Sequence, residues 1–233
     1  MHNVTHTFPG IVSTSHTFEV PLEHSAPEGP QLSLFARELV AADQADKALP
    51  TMVYIQGGPG FESPRPVRKS GWIGRALDEF RVLLVDQRGT GRSAPISARS
   101  LAHLKTPEAQ ADYLSHFRAD AIVKDLELVR KAHLGPEAKW TILGQSFGGF
   151  CALNYLSTAP EGLQAALFTG GLPPMSGHAD RVYEATYKRV LTRNQRYFER
   201  YPEDQARLNE LDEYLTTNTI SLPSGTRLTQ RLL

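Results

Sequence analysis

Residues 17–22 and 32–40 alternate apolar and polar positions, and the turn-rich Ser25-Ala26-Pro27-Glu28-Gly29-Pro30 separates them. A period of two predicts strands with one face in the core and one toward water, joined as a half-exposed antiparallel hairpin. Further along, the pattern changes. Residues 52–55, 81–85, 140–143 and 165–168 are short, nearly unbroken apolar runs. Strands read this way when both faces of a parallel sheet are covered. Helical spacing links Trp72, Ile73, Ala76, Leu77 and Phe80. It links Ile122, Val123, Leu126, Val129 and Ala132 again, and Gly135-Pro136 closes that second helix. Alternating strands and helices predict an α/β fold with right-handed crossovers, whose binding loops sit at the carboxyl ends of the strands.

The character shifts after Gly170-Gly171-Leu172-Pro173-Pro174. Residues 182–201 and 204–214 are polar, charge-rich and helical in pattern, with Tyr183, Tyr187, Tyr197, Phe198 and Tyr201 among them. We read a boundary near Pro173: an α/β core over residues 1–172 and the start of a helical cap over 173–233, laid over the strand ends. The aromatic stripe is expected to pack against a neighbour.

Composition narrows the functional classes. The 233 residues are 40% hydrophobic with a formal net charge of zero, enough for one sizeable core. Balanced charge argues against a nucleic-acid partner. The single cysteine, Cys151, excludes an intrachain disulfide and reads as a small core residue rather than a reactive thiol. No apolar run has the length of a membrane span. The first nine residues are polar and lack the apolar stretch of a secretory signal, so a cytoplasmic location is the expectation. No metal motif such as H-E-x-x-H is present, and no metal or organic cofactor is expected.

Three loops carry candidate chemistry, and each follows a predicted strand. Gly144-Gln145-Ser146-Phe147-Gly148 lies between the run ending at Leu143 and a helix-like stretch. Strand, sharp turn and helix are the context that G-x-S-x-G requires, with Ser146 presented to a cleft as a nucleophile. Gln56-Gly57-Gly58-Pro59-Gly60 can offer backbone amides to an oxyanion. We assign the donors to Gly58 and to Phe147, the residue after the nucleophile, with Gly57, Pro59 and Gly60 shaping the loop. The third loop is Asp86-Gln87-Arg88-Gly89-Thr90-Gly91-Arg92-Ser93, where Asp86 and Arg88 are expected to pair and hold this loop beside the glycine loop. It is no phosphate cradle of the G-x-x-x-x-G-K-[ST] kind.

Together these motifs resemble the α/β-hydrolase superfamily, with a doubly wound sheet, and more closely the prolyl aminopeptidases (proline iminopeptidases). The resemblance rests on Gly57-Gly58-Pro59-Gly60, Asp86 through Gly91 and Gly144 through Gly149, and it runs from about Phe18 onward. Gln56 stands where members commonly carry histidine, as in the longer-chain branch. The resemblance implies a serine aminopeptidase that attacks peptides with N-terminal proline and passes through a prolyl-enzyme. Glu62, beside the glycine loop, is a weak candidate for receiving the substrate's amino group. An esterase or amidase on the same scaffold, or a non-catalytic fragment of the fold, are the alternatives.

In this fold the order along the chain is serine, acid, histidine. After Ser146 stand one histidine, His178, and three aspartates, Asp180, Asp204 and Asp212. His178 falls in a turn-rich segment with no strand before it and reads as a surface residue. The chain therefore resembles the N-terminal part of a longer hydrolase. Alone it is expected to be nearly inactive and to expose an unpaired sheet edge.

Overall fold

The computed structural model describes residues 4–174, 176–223 and 225–230. The chain divides into two compact units, Met1–Pro173 and Pro174–Leu233.

The first unit is built on a seven-stranded sheet of order β1-β2-β3-β5-β4-β6-β7. β1 (Val4–Phe8), β2 (Ile11–Pro21) and β3 (Gln31–Ala41) form an antiparallel meander, and β3 lies antiparallel to β5 (Arg81–Val85). From β5 the sheet continues in parallel through β4 (Thr51–Ile55), β6 (Trp140–Gln145) and β7 (Leu163–Thr169). The hairpin read from alternation is present, with its first strand starting six residues earlier and ending one sooner, and its second longer by one residue at each end. Because β3 sits between β2 and β5, most of it is buried rather than half exposed.

Alternate residues of the central strands divide between two cores. Val53, Ile55, Leu83, Val85 and Ile142 pack with Ile122, Val123, Leu126 and Val129 of α4 (Ala119–Leu134) and with Cys151, Ala152 and Tyr155 of α5 (Phe147–Thr158). Tyr54, Val82 and Leu84 face the other way, onto Ile11, Leu39 and the segment carrying Ile73 and Leu77, in and just after α1 (Gly71–Ala76). Helices on both faces explain why these strands are apolar throughout. Gly135 ends α4 at φ 96°, as the Gly-Pro signal indicated.

In the first unit β1, α2 (Ala98–Leu101) and α3 (Pro107–Ser115) escaped the pattern reading. β1 is mostly exposed, and neither α2 nor α3 buries a residue. Without an apolar stripe they leave no periodic signal. α3 is set locally instead, by Pro107 in its first turn and by the Thr106 side chain accepting the Ala109 amide at 3.1 Å. β7 ends the sheet among the described residues, and Leu167 on it is 46% exposed.

The second unit holds α6 (Asp180–Arg200), α7 (Glu203–Thr217) and a two-residue ladder between β8 (Ile220–Ser221) and β9 (Arg227–Leu228). The Tyr197 hydroxyl donates to Asp204 Oδ2 at 2.6 Å, tying the end of α6 to the start of α7. Tyr183 and Tyr187 are more than half exposed, so the stripe expected to pack is largely uncovered. Among the described residues no helix is long and apolar enough to cross a membrane.

Candidate active site

β6 ends at Gln145 and α5 begins at Phe147, which leaves Ser146 alone to turn the chain. It does so at φ 53°, ψ −119°. A residue with a Cβ held there stores roughly 1–3 kcal/mol of strain, and the surroundings must enforce it. The Ser146 amide donates to the Thr169 carbonyl at 2.9 Å, and its carbonyl accepts from the Gly149 amide at 2.8 Å. Neighbouring backbone comes so close that only glycine fits. A Cβ on Gly148 would lie 1.9 Å from the Ile55 carbonyl oxygen, so α5 starts directly against the end of β4.

That contact brings the glycine loop to the serine, since the loop follows Ile55. Gln56 organises it: its Oε1 accepts from the Gly57 amide at 2.9 Å and from the Tyr54 hydroxyl at 2.9 Å, and its Nε2 donates to the Glu62 carbonyl at 3.1 Å. The Gly57 amide is thus occupied. Gly58 is exposed, and its amide has no hydrogen-bond partner among the described residues. A cis peptide joins Gly58 to Pro59. Phe147 opens α5, and an amide at that position has no helical carbonyl to meet. Ser146 itself is partly exposed. Pro59, Gly60, Gln87, Phe117 and Phe147 line part of a cleft of about 350 Å³ beside this turn.

The Asp86 loop is fastened to the glycine loop, though not by the expected pair. Buried Asp86 accepts the Ser63 amide on Oδ1 and the Arg92 amide on Oδ2, each at 2.9 Å. The Ser63 hydroxyl donates to the Val85 carbonyl at 2.7 Å, and Gln87 Nε2 donates to the Gln56 carbonyl at 2.8 Å. Arg88 does not pair with Asp86. Its Nε donates to Asp125 Oδ2 on α4 at 2.7 Å, and its Nη atoms reach the carbonyls of Pro21, Leu22 and His116 at 2.8–3.0 Å. A fully buried guanidinium needs several acceptors at once, which Asp125 and these three carbonyls supply, whereas Asp86 meets two backbone amides and, at 3.5 Å, Arg65 Nη2. Gln87 and Asp125 were missed in the sequence. Gln87 stood inside a noticed motif, whereas Asp125 lies 37 positions from its partner and has no local signature.

Two further residues stand among the candidates read from the sequence. Glu62 is half exposed and bonded to Arg65 Nη2 at 2.6 Å. The His178 side chain is 81% exposed and pairs with Asp180 at 3.0 Å, a surface contact. Among the described residues no group is hydrogen-bonded to the Ser146 hydroxyl. The arrangement presents a strained serine and candidate oxyanion donors.

A family model described as α/β hydrolase fold matches residues 50–219. A proline iminopeptidase of Aeromonas sobria is 53% identical over 221 residues, which is 94% of this chain and 52% of that protein. A proline iminopeptidase of Aspergillus aculeatus is 40% identical over 97% of this chain and 52% of its own length. One from Neisseria meningitidis is 30% identical over 51% of this chain and 32% of its own. The chain spans about half the length of the first two relatives. With its mixed sheet, covered faces and strand–serine–helix turn, it belongs to the α/β-hydrolase fold family.

Proposed function

We propose that this chain carries the nucleophile and oxyanion hole of a serine aminopeptidase that releases N-terminal proline from peptides. Residues 1–172 are the hydrolase core in this reading, and 173–233 are part of a helical cap. Ser146 attacks the first peptide carbonyl, the amides of Gly58 and Phe147 receive the oxyanion, the amine leaves, and water releases proline from the prolyl-enzyme. Each oxyanion donor contributes about 3–4 kcal/mol to the transition state. A serine hydroxyl is a weak nucleophile without a base, so the activity is proposed for the whole protein, and the 233 residues alone are expected to turn over almost nothing. A peptide substrate and a cytoplasmic location belong to the same reading.

The observation that carries the reading is Ser146 at φ 53° in a turn whose glycines admit no Cβ, with the Gly57–Gly60 loop pressed against it. Similarity to proline iminopeptidases over nearly the whole chain supports the substrate class. The test compares hydrolysis of prolyl and alanyl naphthylamides and of simple esters by the whole protein and its Ser146→Ala variant. Preferential prolyl turnover that disappears with Ser146 is expected. Faster ester cleavage would assign an esterase, and turnover surviving Ser146→Ala would remove the serine from the mechanism.

A further inference from the structure

At the edge of the core, on the sheet face covered by α4, three side chains from three elements converge: His16 of β2, Glu38 of β3 and His133 near the end of α4. One ligand-capable atom from each lies within 4.8 Å of the others. The sheet register explains the meeting. Thr14 stands opposite Glu38 and His16 opposite Ala36, so His16 and Glu38 are diagonal neighbours on one face. α4 packs on that same face, and His133 in its last turn reaches Glu38 Oε2 with Nε2 at 2.7 Å.

Two features of the cluster go beyond an ordinary hydrogen-bond network. His16 Nε2 is buried without a hydrogen-bond partner among the described residues. Buried polar atoms are rarely left so, and a bound ion or water is one way to satisfy them. The carboxylate is also held from behind. Arg81 Nη1 donates to Glu38 Oε1 at 2.8 Å, and the same guanidinium is anchored on the Ala45 and Lys47 carbonyls. Oε2 is left turned toward the histidines, the outer-shell support that metal-ligating carboxylates receive.

We infer that His16, Glu38 and His133 form a binding site for a divalent transition metal, zinc in first place. Two imidazoles and one carboxylate match zinc chemistry and leave one position for water, whereas magnesium and calcium prefer all-oxygen shells. Zinc bonds of about 2.0–2.1 Å place tetrahedral ligands about 3.3 Å apart, so His133 and Glu38 must part slightly from 2.7 Å and His16 must close by at most about 1.5 Å through side-chain rotation. The ion displaces any proton shared by His133 and Glu38 and gives the orphaned His16 nitrogen a partner. The nearby Arg81 charge opposes a cation and keeps the affinity moderate. Glu38 pairs with Leu83 of β5 in mid-strand, whereas the serine turn follows the carboxyl end of β6, which β4 separates from β5. The site therefore clips the β2–β3 hairpin to α4 and takes no part in acyl transfer.

The test is calorimetric titration of the metal-free chain with zinc, run beside His16→Gln, His133→Gln and the surface control His103→Gln. We expect one zinc per chain, a rise in Tm, and at least tenfold weaker binding for His16→Gln and His133→Gln with no change for His103→Gln. No saturable binding by the wild type, or equal binding by all four proteins, overturns the site. If a variant fails to fold, a zinc-soaked wild-type crystal decides. An anomalous peak about 2.0–2.2 Å from His16, Glu38 and His133 supports the site, and a peak only on other histidines, or none, refutes it.

Discussion

Gly57 presses on Ser146 so closely that a Cβ on the glycine would stand 2.8 Å from the serine Cβ and 2.5 Å from Gln145 Oε1. The two residues belong to loops after different strands, and their contact sets the glycine loop against the serine, the placement that the proposed nucleophile and oxyanion loop need. Gly57→Ala should therefore separate the loops without unfolding the sheet. We expect kcat of the whole protein on a prolyl naphthylamide to fall by about 10²-fold or more, the range seen when an oxyanion donor is lost. An unchanged Tm would locate the effect in the site.

Strain at Ser146 can be released by glycine, which tolerates φ 53°. Ser146→Gly should stabilise the fold by about 0.5–1 kcal/mol in urea unfolding, reduced from the full strain because the freer unfolded chain is favoured too. Labelling by a fluorophosphonate should vanish in the same variant.

Arg88 and Asp125 form a fully buried ion pair between the Asp86 loop and α4. Removing one partner leaves an uncompensated charge in the core. Asp125→Ala should lower stability by about 3–5 kcal/mol, whereas Arg88→Met combined with Asp125→Leu should lose less than that single change. Chemical denaturation of the three proteins would measure the difference.

Acid should weaken the β2–β3 edge. Burial alone would raise the Glu38 pKa, but hydrogen bonds from His133 and Arg81 outweigh it and bring it from 4.5 to about 2. Its stabilising contribution is complete above about pH 4.5 and is lost as the pH falls through about 2. His16, lowered first by burial and then by His133, acts in the same direction from its ordinary 6.5 downward. In EDTA, stability should decline from about pH 6.5 into the acid range, and Glu38→Gln should flatten the lower part by on the order of 1–3 kcal/mol. Urea titrations at stepped pH would show it.

Cys151 is fully buried in α5, and burial pushes its thiol up to about 12. It should ignore a disulfide reagent at neutral pH while the protein is folded and react once per chain in denaturant. Rapid labelling of the native protein would contradict the packing described for α5.

Patterns within a few residues were legible in the chain. The unbroken apolar runs at 52–55, 81–85 and 140–143 announced covered parallel strands, Gly135-Pro136 marked the end of α4, and the glycines around Ser146 marked a turn too tight for side chains. Each signal is local because a strand's faces, a helix end or a turn is decided by neighbouring residues. Elements without an apolar stripe, such as β1 and α3, left no such trace, and the mostly buried β3 looked half exposed because its second neighbour, β5, arrives 40 positions later.

The residues by themselves thus determined where the backbone bends, which strands are buried on both sides, and which serine stands at the bend. Tertiary structure alone decided the partners: Arg88 with Asp125 rather than Asp86, Gln87 with the Gln56 carbonyl, and His16 beside Glu38 and His133. Buried charges and imidazoles bond to whatever acceptor the packed sheet and helices bring within about 3 Å, and chain separation places no limit on that distance.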